Sequence, residues 1–379
     1  MSGASPGSRA GSTARPPHRP RLRGALLGYG FIGAQGHVPA YLQRDDVEIR
    51  AVGDVCAARR ALVAAQLPGA ATYASADELF AAEAGRLDFV DIATPPCDHA
   101  AIAHRALDLG LHVLCEKPLA TRVSDARALL DHAAHAKRTL FPCHNYKHAP
   151  VVQAVRGVIR SGRVGRVRSV TLQTFRNTHA RGVPEWKPDW RRQVLASGGG
   201  VTMDHGSHTF YLAFDWMGAW PTAVTAKMAN SEPGRWTTED TVSAVLTFPN
   251  GLAHVHLTWA AGVRKVIYSV QGDRGAITVD DDDLQLAELQ PAPSGGPATW
   301  RVERRTLPSE WMDASHTRWF NAMFDEFVAA IESGDHVGRD AQDAYRCIEL
   351  IDAAYASAAD QCRERAIGSV LAAGIAHGA

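Results

Sequence analysis

Between Arg21 and about residue 144, short apolar runs alternate with stretches whose apolar residues recur at helical spacing. The pattern predicts strands over Gly24–Gly28, Val47–Asp54, Asp88–Ala93, His112–Cys115 and Thr139–Cys143. It predicts helices over Gly33–Gln43, Asp77–Glu83, Asp98–Leu109 and Ser124–Ala136, the third closed by Gly110. Strand–helix alternation at this spacing means parallel βαβ units in a doubly wound α/β sheet. After about residue 145 the pattern changes. Val167–Phe175 and Ala223–Met228 read as strands, and the alternating runs Val242–Phe248 and Ala253–Trp259 flank Asn250-Gly251, a hairpin signal. Val266–Gln271 and Ala276–Val279 flank a second turn, Gly272-Asp273-Arg274-Gly275. Consecutive hairpins predict a mostly antiparallel, open-faced sheet with one face covered and one free, in an α+β domain. Phe320, Phe324, Phe327 and Ile331 mark one closing helix, ended by Gly334, and Ala344, Ile348, Ile351 and Tyr355 mark another.

The length of 379 residues suits two domains. The expected division is a disordered tail over 1–20, a dinucleotide-binding domain over 21–144, and a substrate-binding and oligomerisation domain over 145–379. An apolar fraction of 46%, a charged fraction of 21% and zero formal net charge are those of a soluble globular protein. They point to neither nucleic acid nor membrane as a partner. No apolar run approaches the roughly 18 residues of a membrane helix. The six cysteines form no Cys-x-x-Cys pair, so buried free thiols in a reducing cytoplasm are expected. The first 20 residues carry Ser, Gly, Pro and Arg but no acid, a composition shared with transit peptides; the lack of apolar periodicity favours a tail. Asp280–Asp283 reads as a solvated turn.

Gly28-Tyr29-Gly30-Phe31-Ile32-Gly33 follows an apolar strand and opens a helix, the context in which Gly-x-Gly-x-x-Gly binds a dinucleotide. The first glycine allows the turn, the second lets the backbone approach the pyrophosphate, and the third lets helix and strand pack closely. Asp54 ends the next strand, where a carboxylate accepts hydrogen bonds from an adenosine ribose and repels a 2′-phosphate. The expected cofactor is therefore NAD rather than NADP, with Arg59 and Arg60 nearby to soften that preference.

The glycine loop, Ala93-Thr94-Pro95-Pro96 with His99, Gly110–Leu119 (GLHVLCEKPL) and Gly198–His208 (GGGVTMDHGSH) resemble the glucose–fructose oxidoreductase / inositol dehydrogenase family. The likeness covers nearly all of residues 22 to 365. It implies a Rossmann domain followed by an open-faced sheet domain, and a cofactor site that includes Phe31, Ile32, Thr94, Pro95, His99, Glu116, Lys117 and Asn145. It also implies that Lys117 lies beside nicotinamide and substrate, that Asp204 and His208 complete the catalytic set, and that the Lys117–Pro118 bond is cis. Asn145-Tyr146-Lys147 matches a family segment bordering the active site that usually reads Asn-x-Arg, so Lys147 is a departure. The chemistry is also arguable without the family. Oxidising a secondary alcohol requires removal of its hydroxyl proton, and an imidazole such as His208 titrates in the right range. Asp204 lies one helical turn earlier, where it is expected to orient and charge-stabilise that imidazole. Lys117 can stabilise a developing alkoxide. Gly198–Gly200 is expected to let this turn approach the nicotinamide. A metal held by Asp204, His205 and His208 lacks the usual third His or Cys, so no metal is expected.

The segment 176–192 is expected to cross the mouth of the site. It carries Trp186 and Trp190, flat surfaces for the apolar face of a sugar or cyclitol, and Arg176, Arg181, Lys187, Arg191 and Arg192, which suit phosphate or carboxylate. Tyr146, Trp190 and Arg191 join Lys117, Asp204 and His208 as expected substrate contacts. The combined reading is an NAD-dependent oxidoreductase acting on a small polyhydroxylated substrate, assembled as a homodimer or homotetramer. A sugar-phosphate or nucleotide-sugar dehydrogenase, an NAD-dependent glycoside-cleaving relative and a non-catalytic sensor of dinucleotide or sugar remain alternatives. The three intact residues argue against the sensor.

Overall fold

The computed structural model describes residues 21–368 apart from 291, 293–295, 310 and 312. The expected tail, residues 1–20, lies outside the described residues.

The first sheet contains β1 (Leu22–Leu27), β2 (Val47–Gly53), β3 (Ala71–Tyr73), β4 (Phe89–Ile92), β5 (His112–Cys115) and β6 (Leu140–Pro142). All are parallel, in the order β3-β2-β1-β4-β5-β6. Leu26, Val52, Val90, Ile92, Val113 and Leu114 have no exposed surface, as a parallel sheet covered on both faces requires. The crossovers run through α1 (Val38–Tyr41), α2 (Ala57–Gln66), α3 (Ala76–Glu83), α4 (Pro96–Asp108) and α5 (Val123–Ala136). The first crossover differs from the expected continuous helix: Gly33–His37 forms a π-helical turn before α1. This wider turn puts His37 in the interior, fully buried. The sequence pattern missed α2 and β3. Helix α2 buries only Arg59 and Val63, and β3 is a three-residue edge strand, so neither carries an apolar stripe.

The second sheet has the order β14-β13-β12-β11-β7-β10-β9-β8-β15. Its strands are β7 (Val167–Phe175), β8 (Ala223–Ala229), β9 (Thr241–Phe248), β10 (Gly251–Thr258), β11 (Lys265–Gly272), β12 (Gly275–Asp280), β13 (Asp283–Gln290), β14 (Thr299–Thr306) and β15 (Arg365–Ala366). β7 and β10 pair in parallel; the other pairs are antiparallel. The chain enters through α6 (Pro150–Arg160) and adds α7 (Val194–Ser197), α8 (Val201–Met217), α9 (Thr317–Ser333) and α10 (Arg339–Ala359). Helix α8 packs on β7 and β10, and α10 packs on β8. They cover the face that buries Val170 and Leu172 from β7, Val242, Ala244 and Leu246 from β9, and Val255 and Leu257 from β10. The opposite face presents Thr171, Gln173, Ser243, His254 and His256, polar and half-buried or exposed. Strand β14 escaped the pattern because nearly every residue in it is exposed.

Two turns differ from expectation. In the β9–β10 hairpin Gly251 pairs with Phe248, so the loop is Pro249-Asn250 rather than Asn250-Gly251. Gly251 is instead needed inside the strand, where a Cβ would lie 1.8 Å from the Arg168 carbonyl oxygen. The acidic run is structural as well as solvated: Asp281 accepts the Val266 N–H at 2.8 Å and Asp282 that of Ser309 at 2.9 Å.

Helix α9 leaves the second sheet and packs on the first. Phe324 and Phe327 lie 5.8 and 5.6 Å from the Phe89 ring, and Phe320 stacks on His37 at 3.9 Å. Helix α9 thereby covers the first sheet at Phe89 and closes over His37.

Candidate active site

The strand order reverses between β1 and β4, the place where open α/β sheets bind ligands. Gly28 leaves β1 with φ +97°, and a Cβ there would lie 2.5 Å from the Ala93 carbonyl oxygen at the end of β4. Gly30 faces open space, so the ground in front of the helix start is clear for a pyrophosphate. The groove here, about 310 Å³, is lined by Gly28, Gly30, Phe31, Ile32, Asp54, Thr94 and Pro95 among others. Asp54 accepts the backbone N–H of Tyr29 and of Cys56, each at 2.7 Å, which fixes its carboxylate toward the groove. Arg59 donates to the Tyr29 carbonyl and Arg60 to that of Asp54. Both guanidiniums are thus engaged beside the carboxylate.

Phe31, Ile32, Thr94, Trp190 and Arg191 also line a second cleft of about 430 Å³, so the two spaces are continuous. This second cleft holds Glu116, Lys117, Asn145, Tyr146, Asp204 and His208. The Lys117–Pro118 bond is cis. Lys117 comes from the end of β5, and its Nζ donates to Asp204 Oδ1 at 2.7 Å and to the Asp204 carbonyl at 3.1 Å. Burial opposes ionisation of Asp204, but Lys117, His205 and Arg191 hold its carboxyl well below the usual range. Asn145 Oδ1 and Thr94 Oγ1 are buried without a hydrogen-bond partner in this cleft, as groups awaiting a bound amide or hydroxyl would be. The glycine cradle, the placement of Asp54 and these two atoms fit a dinucleotide laid along both spaces.

Several expectations need correction. Asp204 does not hold His208: its carboxylate is taken by Lys117 and lies 3.3 Å from His205 Nδ1. His208 Nδ1 instead lies 3.0 Å from Tyr211 Oη, and its ring stacks on Tyr146 at 3.9 Å. Residues i and i+4 share a helix face, but the lysine reaches the carboxylate first. Burial, with Lys117 close by, pushes His208 well below its ordinary pKa. His99 does not face either cleft. It is buried, with its two nitrogens 2.8 Å from the Pro118 and Thr94 carbonyls, and so ties the two loops together. Gly198–Gly200 turns away from the cleft and packs on Thr121, Tyr355 and Glu239; a Cβ on Gly200 would lie 1.9 Å from the Glu239 carbonyl. Lys147 also points away, pairing with Asp340 and, at 3.1 Å, with Asp343 at the start of α10. Among the described residues Asp204, His205 and His208 do not converge on one point. The cluster close enough to share an ion is His37, Glu116 and Cys143, and both His37 nitrogens are already engaged.

The segment 176–192 crosses both spaces. Gly182, Val183 and Trp186 lie over the glycine-loop groove, and Arg176, His179 and Arg181 face the Lys117 cleft. Trp186 therefore lines the glycine-loop groove and not the Lys117 cleft. Arg192 is structural, held between Trp236 and Trp259 and 3.6 Å from Asp240.

Sequence reasoning missed a buried chain behind Glu116. His37 Nδ1 lies 2.7 Å from Asp91 Oδ2, its Nε2 lies 3.1 Å from Glu116 Oε1, and Tyr41 donates to the same Asp91 oxygen. Burial opposes the charged imidazole, but the two carboxylates raise His37 to about 9. Glu116 Oε2 in turn accepts the Lys117 N–H at 3.1 Å. The signal available was a lone Asp inside the apolar run of β4, an expensive residue in a buried strand unless it is paired.

Two family models match the chain: an oxidoreductase family's NAD-binding Rossmann fold over residues 22–144, and the same family's C-terminal alpha/beta domain over 156–362. The chain is similar to inositol 2-dehydrogenase of Rhizobium meliloti, 28% identical and covering 90% of this chain and 98% of that protein. It is similar to D-xylose 1-dehydrogenase (NADP(+)) 2 of Haloferax volcanii, 29% identical over 88% and 96%. Among solved structures it resembles an oxidoreductase from Agrobacterium radiobacter in complex with NAD+, L-tartaric acid and magnesium. That match has a TM-score of 0.77 and 25% identity, covering 93% of this chain and all of the other.

Proposed function

The chain belongs to the glucose–fructose oxidoreductase / inositol dehydrogenase family of oxidoreductases, and from that premise we propose that it is an NAD-dependent dehydrogenase oxidising a secondary alcohol of a sugar, sugar derivative or cyclitol. The observation that carries this reading is the continuity of the Asp54 groove with the cleft that holds Lys117, Asp204 and His208. NAD, when bound, accepts the hydride released from carbon. Asp54 would hold its adenosine ribose, and the unpartnered Asn145 Oδ1 and Thr94 Oγ1 would be available to its polar groups. Lys117 is held by two contacts to Asp204 and keeps one N–H for the substrate oxygen, where it stabilises the charge that builds as the proton leaves. His208 takes that proton at Nε2 in the tautomer that carries its hydrogen on Nδ1, the nitrogen 3.0 Å from the Tyr211 hydroxyl. Burial and Lys117 keep the imidazole neutral and ready at pH 7. Tyr146 holds the ring's plane.

The test is a screen for NADH formation across cyclitols, aldoses, sugar acids and sugar phosphates. At least one class should be oxidised, and Lys117→Ala should abolish that turnover. Protein that binds NAD yet oxidises none of them counts against the reading. The same proposal includes a homodimer or homotetramer joined through the open face of the second sheet, which sedimentation at micromolar concentration would reject by finding a monomer. It places the protein in the cytoplasm, a reading supported by six unpaired cysteines. Among the described residues no helix is long and apolar enough to cross a membrane.

A further inference from the structure

Charge in the Lys117 cleft does not balance. Five cations line it, Lys117, Arg176, Arg181, Arg191 and Arg264, against the carboxylates of Glu116 and Asp204. Lys117 and Asp204 cancel each other. Glu116 faces the imidazole of His37. Arg181 is met by Asp189. Arg191 lies 3.8 Å from Asp204 and borders the glycine-loop groove as well. Arg176 and Arg264 remain, both in the Lys117 cleft and neither in the glycine-loop groove.

Neither has a carboxylate within ion-pair distance among the described residues. Arg176, 4% exposed, donates Nη1 to the carbonyls of Phe175 and Lys265, and its Nη2 is buried with no partner. Among the described residues Arg264 donates only to the Trp311 carbonyl. Asp281, the carboxylate felt by Arg264, acts at longer range and is occupied by the Val266 N–H. Half-burial opposes the charge on Arg264 and Arg176 repels it, so its pKa is lowered. The imidazoles beside them add no compensating charge: His205 is pushed down to about 4 and His316 to about 3, burial first and the neighbouring cations second. A buried, unpaired guanidinium is expensive, and an oxyanion is its natural counter-charge.

We propose that the substrate carries an oxyanion, a carboxylate or a phosphate, and that Arg176 and Arg264 bind it. This rests on the dehydrogenase reading and narrows it from polyols in general to acidic ones. The hydroxyl to be oxidised sits at Lys117 and His208, and the anionic group sits at the two arginines.

The experiment compares molecules that differ only in charge: D-galacturonate with D-galactose, and D-glucose 6-phosphate with D-glucose. Binding to the full chain loaded with NADH is measured by calorimetry, and NADH formation from NAD is measured in parallel. One of the acidic partners should bind at least tenfold more tightly than its neutral counterpart, and added salt should erode that margin. The pair showing the margin identifies carboxylate or phosphate. Arg176→Gln and Arg264→Gln should each shrink the margin below threefold, and Arg176→Lys should keep part of it if the glutamine variant fails to fold. Neutral sugars bound as well as the acids, or no binding of either acid, overturns the proposal. Efficient oxidation of the neutral sugars in that case leaves the dehydrogenase reading standing. Tight, arginine-dependent acid binding without NADH formation from any substrate rejects the dehydrogenase reading and keeps the anion site.

Discussion

Replacing His37 with Gln should remove a pH-dependent share of the protein's stability. His37 is fully buried between Asp91 and Glu116, and its folded-state pKa is raised to about 9. In the unfolded chain an imidazole titrates near 6.5. The folded state therefore binds the proton more tightly, so the contribution is complete below about pH 6.5 and is lost as pH rises through about 9. A shift of this size corresponds to about 3 kcal/mol at 1.36 kcal/mol per unit. Urea unfolding of the protein and of His37→Gln at several pH values between 6 and 10 measures it. Other titrating groups largely cancel in the difference between the two proteins. That difference should be largest near pH 6 and decline by about 3 kcal/mol toward pH 10. A difference that stays flat over this range would show that His37 is neutral in the folded protein, and the account of Glu116 as the partner of an imidazolium would fall with it. The network also reaches the site, because Glu116 accepts the Lys117 N–H.

Three further outcomes follow from the geometry. His208→Ala should lower turnover by about 10²–10⁴-fold with NAD affinity nearly unchanged, and turnover of the unmodified enzyme should stay level through pH 6.5, because burial and Lys117 place the imidazole's titration well below that value; an activity limb centred near 6.5, or full turnover in the variant, refutes its role as base. Asp54→Ala should narrow the preference for NAD over NADP in a binding titration, and equal binding of both cofactors by the unmodified protein would refute the reading of Asp54. Lys147→Ala should cost about 2 kcal/mol in urea unfolding, since buried Asp343 keeps Arg339 but half-buried Asp340 loses its lysine, while NAD affinity changes less than threefold since Lys147 lines neither cleft; a stable variant with impaired NAD binding would reverse that assignment.

What the sequence determined by itself was local. Alternation and helical spacing placed most strands and helices, because a strand or helix must hide its own apolar face whatever its neighbours do. The glycine loop and Asp54 were legible because their chemistry is confined to one strand–turn–helix unit and the strand beside it. Lys117, Asp204 and His208 were legible as a set through the resemblance of their motifs. Their partners were not, since partner choice is decided by which elements meet. Asp204 lies one turn from His208 in sequence, yet β5 delivers Lys117 to it first, and the hydroxyl of Tyr211 takes the imidazole instead. Lys147 and Gly198–Gly200 looked like site residues and turn out to anchor α10 and the Glu239–Tyr355 contact. Arg176 was one cation among five in a charged segment. Only the fold brings Arg264 beside it, 88 positions later, and leaves both without a carboxylate. Net charge over the whole chain is zero, so composition could not reveal a cleft whose charge is not. The tertiary structure decided that, by bringing a buried and a half-buried arginine into one cleft and spending the nearby acids on other partners.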